Sequence, residues 1–246
     1  MTDHVVLVLA SRRDAAAAKF AADNADACVR LMTPDDLSQE GWVFRLDDPV
    51  RCTAVLAGRP LRATTIAGVV TRLASVTGHD LPHIAPADRD YVAAEMNAFL
   101  LAWLTSLRCP VVNRPRPQCL AGPPWHRERW VLAAQRLGFP ARPVVRRESD
   151  GVTAAAAADG EPEHTVTVVG RRQFGADDDV LVERAHALAD VAGAELLTVE
   201  FDGRGRDAHF VNASFWPDLG EARIADAVIA LVRGGRQRLK RARKTR

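Results

Sequence analysis

Glu200, Asp202, Asp207 and Asn212 crowd three carboxylates and a carboxamide into a stretch that reads as strand, turn and strand. Oxygen donors of this kind suit magnesium, which needs near-octahedral oxygen ligation and is usually held by one or two carboxylates plus substrate phosphates. Asp202 and Asp207 also flank Gly203 and Gly205. Short polar side chains suit hairpin loops, so both read first as turn residues. His79-Asp80-x-x-His83 has the residue types for zinc binding or acid-base work. Pro82 inside it breaks the helical spacing that would aim both imidazoles together, and a surface loop is the expected setting. Gly203-x-Gly205 follows a strand and opens no helix, which makes it a turn rather than a dinucleotide fingerprint. None of Ser11, Ser38, Ser75, Ser106, Ser149 and Ser214 sits in a G-x-S-x-G elbow. Cys28, Cys52, Cys109 and Cys119 lack C-x-x-C or metal-finger spacing and read as buried or incidental thiols.

The elements that must position these residues follow from hydrophobic patterning. Val5 to Leu9 reads as a strand, Arg13 to Ala27 as an alanine-rich helix and Val29 to Met32 as a second strand, a β-α-β opening. Trp42 to Leu46 and Thr53 to Leu56 read as a hairpin or as two edge strands, and Ile66 to Leu73 as a buried strand. Asp88 to Leu107 is the clearest helix, with Val92, Met96, Phe99, Leu100, Trp103, Leu104 and Leu107 on one stripe. Val111-Val112 starts a strand after Pro110, and a Pro-rich connection leads to a helix over Trp125 to Leu137, stopped by Gly138 and Pro140. Arg142 to Glu163 reads as weakly structured or as a hairpin, with turn signals at Asp150-Gly151 and Asp159-Gly160. Thr165 to Val169 alternates as a strand that leads into a helix over Asp178 to Val191. Leu196 to Phe201 and His209 to Ala213 form a hairpin, and a last helix spans about Glu221 to Val232.

No apolar run approaches the roughly 20 residues needed to cross a bilayer, and the opening Met1-Thr2-Asp3-His4 lacks a signal-peptide basic region. A membrane is not an expected partner, and the cytoplasm is the expected compartment. Net charge is only +2, yet eight Arg or Lys residues and no acid lie between Arg233 and Arg246, so the remainder is acidic. The tail could neutralise nucleic-acid phosphates, but no recognisable nucleic-acid module accompanies it and an acidic peptide suits it equally. Only Lys19, Lys240 and Lys244 occur, so the chain from 20 to 239 has no lysine.

Three blocks carry a family resemblance. Gly68-Val69-Val70-Thr71-Arg72 is the first, and Glu95, Trp103 and Val112-Asn113-Arg114-Pro115 through Ala134, Gly138 and Pro140 form the second. Val168-Val169-Gly170 with the hairpin through Phe210-Val211-Asn212 is the third. In order and spacing the chain resembles the ATP-grasp ligases, especially those that modify ribosomal peptides such as microviridins, and the ribosomal-protein glutamate ligases. The resemblance implies an α/β fold with a Rossmann-like N-terminal (pre-ATP-grasp) domain over 1–115. It further implies a reduced ATP-grasp C-terminal domain over 116–232, lacking most of the lid, and a basic tail over 233–246.

The departures are chemically specific. The lid interval, from Val144-Val145 to the Val-Val-Gly strand, spans about twenty residues and has no lysine to clamp phosphates. Thr165 stands where the family has an arginine. At the family's metal site Glu200 matches the acidic strand residue and Asn212 the asparagine, but Phe210 replaces the glutamate. The expectation is therefore a vestigial metal site with no catalytic residue and no cofactor, in a protein similar to the peptide-binding accessory proteins of crocagin-type clusters. Its expected partners are a precursor peptide and the tailoring enzymes of the same pathway, and a homodimer is the expected assembly. An extended peptide would pair with an exposed strand edge, with Arg72, Asn113, Arg171, Arg172 and Trp216 as contacts. Trp125, Trp130 and Trp216 either anchor that peptide or pack subdomains together. The alternative is an active ATP-dependent carboxylate-amine ligase that holds magnesium through Glu200, Asp202 and Asn212. A third reading is nucleic-acid binding through the tail.

Overall fold

The computed structural model describes residues 4–149, 152–157 and 161–244. They divide into two compact units, Met1–Pro123 together with Asp218–Arg246, and Pro124–Pro217.

In the first unit the elements are β1 (Val5–Leu9), α1 (Ala15–Asp23), β2 (Val29–Met32), α2 (Pro34–Leu37), β3 (Thr53–Leu56), β4 (Arg59–Arg62), β5 (Ile66–Thr71), α3 (Arg89–Ser106) and β6 (Val111–Val112). β2, β1, β5 and β6 form a parallel sheet in that order. The unbroken aliphatic runs of β1 and β5 suit such a sheet, because both of its faces are covered. Leu7, Leu9 and Val69 pack with Leu100, Trp103 and Leu104 of α3. Gly68 points to the opposite face, where a Cβ would lie 2.7 Å from the Val232 Cβ. A glycine here lets the final helix lie directly on β5.

The final helix runs from Ala222 to Lys244, so the stretch read as a basic tail continues it, and it packs on β5 and β1 within the first unit. α1 is shorter than its alanine-rich stretch because polar side chains close both ends. Asp14 accepts from the Ala17 N–H at 2.9 Å, and the Asn24 side chain donates to the Phe20 carbonyl at 2.9 Å. β3 pairs with β4, while the 42–46 stretch contributes only the Val43–Thr53 bridge.

The second unit contains α4 (Arg127–Arg136), β7 (Val144–Ser149), β8 (Val152–Ala157), β9 (His164–Val169), β10 (Arg172–Gly175), α5 (Asp179–Ala192), β11 (Leu196–Asp202) and β12 (His209–Ser214). The final helix, introduced above, is α6. β10, β9, β11 and β12 form an antiparallel sheet in that order. α4 and α5 close its core through Trp130, Ala134, Leu181, Ala185 and Leu188, against Val166, Val199, Phe201 and Phe210. The strand ending at Val169 does not lead straight into a helix. Gly170, with φ +61°, and Arg171 make a two-residue turn into β10, which pairs Arg172 with Val169. β7 and β8 form a separate antiparallel hairpin, which places the alanine run 154–157 in a strand. The expected turns at Asp150-Gly151 and Asp159-Gly160 lie outside the described residues.

Candidate functional site

Three of the positions singled out in sequence fall in one row across three strands. Thr165 on β9 faces Glu200 on β11, and Glu200 faces Asn212 on β12. Their neighbours Val166, Val199 and Ala213 belong to the core, so by strand alternation the row lies on the sheet face away from that core.

Phe210 does not join them. Glu200 pairs with Asn212, but Phe201 pairs with Phe210, so Val211 is an extra residue on β12. A bulge of this kind inverts the alternation beyond it. Phe210 is thereby turned to the core face, where it is fully buried. Its backbone is fixed from outside the hairpin: its N–H donates to the Pro140 carbonyl at 2.7 Å, and its carbonyl accepts from the Arg142 N–H at 2.9 Å.

The carboxylates near the row face guanidinium groups. Arg142 pairs with Asp202 at 2.8 Å. Arg127, the first residue of α4, donates to the Val211 carbonyl. Burial lowers its pKa from the ordinary value, Glu200 opposes that shift, Arg142 adds to it and Glu128 opposes it. Asp202 is thus the last residue of β11 and half of an ion pair, whereas Asp207 lies exposed in a short turn, Gly205–Asp207.

That turn is held from α5. The Asp178 carboxylate accepts from the Gly205 N–H at 2.8 Å and caps α5 by accepting from the Val180 and Leu181 N–H groups. The bond from Gly205 is the main reason its pKa lies below the usual carboxylate value, burial opposing. Arg184 is 8% exposed and donates to the carbonyls of Ala208 and Arg206 at 2.8 and 2.7 Å.

Magnesium is a poor fit to this donor set. Glu200 gives one carboxylate and Asn212 one amide oxygen, Phe210 gives neither, and Asp202 is committed to Arg142. Among the described residues no three His, Cys, Asp or Glu side chains are placed to hold a metal ion. His79-Asp80-x-x-His83 does not converge either. Asp80 turns inward to accept from Ser11 Oγ at 2.7 Å and from the Thr77 N–H and hydroxyl, while His83 lies at 2.8 Å from Ser38 Oγ.

The five expected peptide contacts fall in both units. Arg72 lies in the first unit, bonded to Asp14 at 2.9 Å, with its side chain 9% exposed. Asn113, also in the first unit, is 3% exposed and takes a left-handed φ of +52°, a conformation asparagine tolerates better than most residues. Arg171 and Arg172 are exposed at the β9–β10 turn. Trp216 is 41% exposed but follows β12, at the other edge of the sheet. Trp103 and Trp130 are core residues, and Trp125 packs against Trp130.

Arg127, Arg142, Asp178 and Arg184 were missed in sequence. A charge among the apolar positions Leu181, Ala185 and Leu188 was the available signal for Arg184, and a helix-starting aspartate was the signal for Asp178. The two arginines facing Glu200 and Asp202 had none, because their partners lie about sixty residues or more away in sequence.

No protein-family model matches the chain, and no curated protein matches it in sequence. Solved structures do match its fold. The macrocyclase MdnB from Microcystis aeruginosa MRC superposes with a TM-score of 0.63 at 13% identity, covering 94% of this chain and 100% of that one. MdnC from the same organism, bound with precursor peptide MdnA, gives 0.64 at 10% identity over 93% and 99%. A RiPP-associated ATP-grasp ligase from Chryseobacterium gregarium, in complex with ADP and a leader and core peptide, gives 0.59 at 11% over 93% and 96%. The chain therefore has the ATP-grasp ligase-like fold of the microviridin-type ligases.

Proposed function

We propose that this protein binds a ribosomally made precursor peptide and assists its modification by other enzymes, without itself activating ATP. The observation that carries the reading is the core burial of Phe210 beside a bulge that turns its position away from Glu200 and Asn212. Phosphoryl transfer depends on fixed charge around the nucleotide. Here the carboxylates near that row face Arg127 and Arg142 instead.

Three solved structures of similar fold are described with precursor or leader and core peptides bound, which supports a peptide as the ligand. β10 offers a way to hold one. It is an edge strand of its sheet, and Arg171, Arg172 and Gln173 at its start are exposed. A peptide strand laid along it would gain main-chain hydrogen bonds, with the two arginines favouring acidic side chains.

Calorimetric titration tests both halves. Mg-ATP should give no saturable heat at up to millimolar concentration, whereas a ribosomal precursor peptide should bind. Micromolar binding of Mg-ATP would overturn the non-catalytic part. It would favour the active carboxylate-amine ligase, whose best support is the direct pairing of Glu200 with Asn212.

A further inference from the structure

The outer side of the helix layer in the second unit carries a groove whose lining includes neither the Thr165–Glu200–Asn212 row nor the β10 edge. α4 and α5 cover one face of the sheet with Trp130, Ala134, Leu181 and Leu188. Away from that core they enclose an open cavity of about 410 Å³. Leu132 of α4 and Val191 of α5 line it and remain 46% and 54% exposed. Large aliphatic side chains exposed together in one groove mark a surface that gains by being covered.

Charge frames this apolar floor. Arg129 and Arg136 line the groove, and no acidic residue does. The Arg129 guanidinium lies 4.5 Å from the centre of the Trp125 ring. Stacking of this kind limits the guanidinium's freedom and leaves its edge N–H groups for a carboxylate. The two arginines are seven positions apart, so they share a face of α4 about 10.5 Å apart along the axis. Leu132 lies between them, one turn from each.

From this pattern we infer that the groove docks an acidic amphipathic helix of a partner protein. The occupant's carboxylates stand two turns apart, at i and i+7, opposite Arg129 and Arg136. Its large apolar residues at i+3 or i+4 cover Leu132 and Val191. Two cations at helical spacing on either side of an apolar seat match a helix laid along α4 better than an extended strand, whose side chains on one face repeat every 6.6 Å or so. A second copy of the chain is disfavoured, since a two-fold pairing of α4 would set Arg129 and Arg136 against the same arginines. The groove is separate from the β10 edge, so a partner held here leaves that edge open.

A stapled alanine-rich helix with Glu at i and i+7 and Leu at i+3 and i+4, labelled with fluorescein, is the probe for the full-length protein. Anisotropy should show saturable binding that weakens with added salt. R129E/R136E should reduce it by about tenfold or more, as charge reversal at a complementary surface does. The same helix with Lys in place of Glu should bind R129E/R136E better than it binds the wild type, which a merely misfolded variant could not produce. Equal binding of a Gln-substituted helix, or no effect of R129E/R136E, would overturn the assignment. So would sedimentation of the wild type as a dimer that R129E/R136E dissociates, which would give the groove to a second copy.

Discussion

Phe210 shows how a side chain's identity and its backbone setting act together. The aromatic ring belongs to the core because the extra residue Val211 turns it there. Phe210→Glu is therefore expected to bury an unpaired carboxylate rather than rebuild a metal site. It should cost about 4 kcal/mol or more in chemical denaturation, by lost packing plus charge burial, and should confer no Mg-ATP binding. Asp80 gives a residue-scale prediction with a pH signature. Burial raises its pKa, but the bonds from Ser11 and Thr77 and the nearby Arg13 outweigh that and leave it below the ordinary carboxylate value. A lowered pKa stabilises the fold above the unfolded-state value of about 4 and is lost as pH falls through the folded-state value. Asp80→Asn should thus cost about 1.5 kcal/mol at pH 7, and the gap to the wild type should close below about pH 4.

At the scale of elements, periodicity located most of the scaffold. The stripe on α3, the buried runs of β1 and β5 and the hairpin β11–β12 all lie where patterning placed them, because each is dictated by neighbours close in sequence. β10 escaped because Arg172-Gln173-Phe174-Gly175 has one apolar residue and exists as a strand only by pairing with β9. Val211 escaped for a similar reason: a bulge depends on register between strands, and nothing in one strand's composition announces it. The full length of α6 was hidden by its charge, since a helix continuing past its contact with β5 needs no apolar stripe. The missed strand carries the test of strand pairing. Arg172 faces Val169 across the two-residue turn, so the Gln173 N–H points to the open edge. Gln173→Pro removes that donor without touching the bonds to β9. Peptide affinity should fall by about tenfold in a titration while stability changes by less than about 1 kcal/mol.

At the scale of the whole molecule, the second unit is one uninterrupted stretch, Pro124–Pro217, while the first is assembled from both ends of the sequence. The isolated 124–217 segment holds its own buried core and should unfold cooperatively, as read by circular dichroism against denaturant. Residues 1–123 alone lack α6 and should bind a hydrophobic dye and aggregate, because one face of β5 is then bare. The close seat of Val232 on Gly68 carries this further, into the order in which the protein is made. A ribosome delivers β5 more than 150 residues before the helix that covers it, so the second unit can finish folding while the first still waits with an open sheet. Synthesis of α6 is then the event that seals the N-terminal sheet, and a chain cut short before α6 would display an apolar surface that chaperones and proteases recognise.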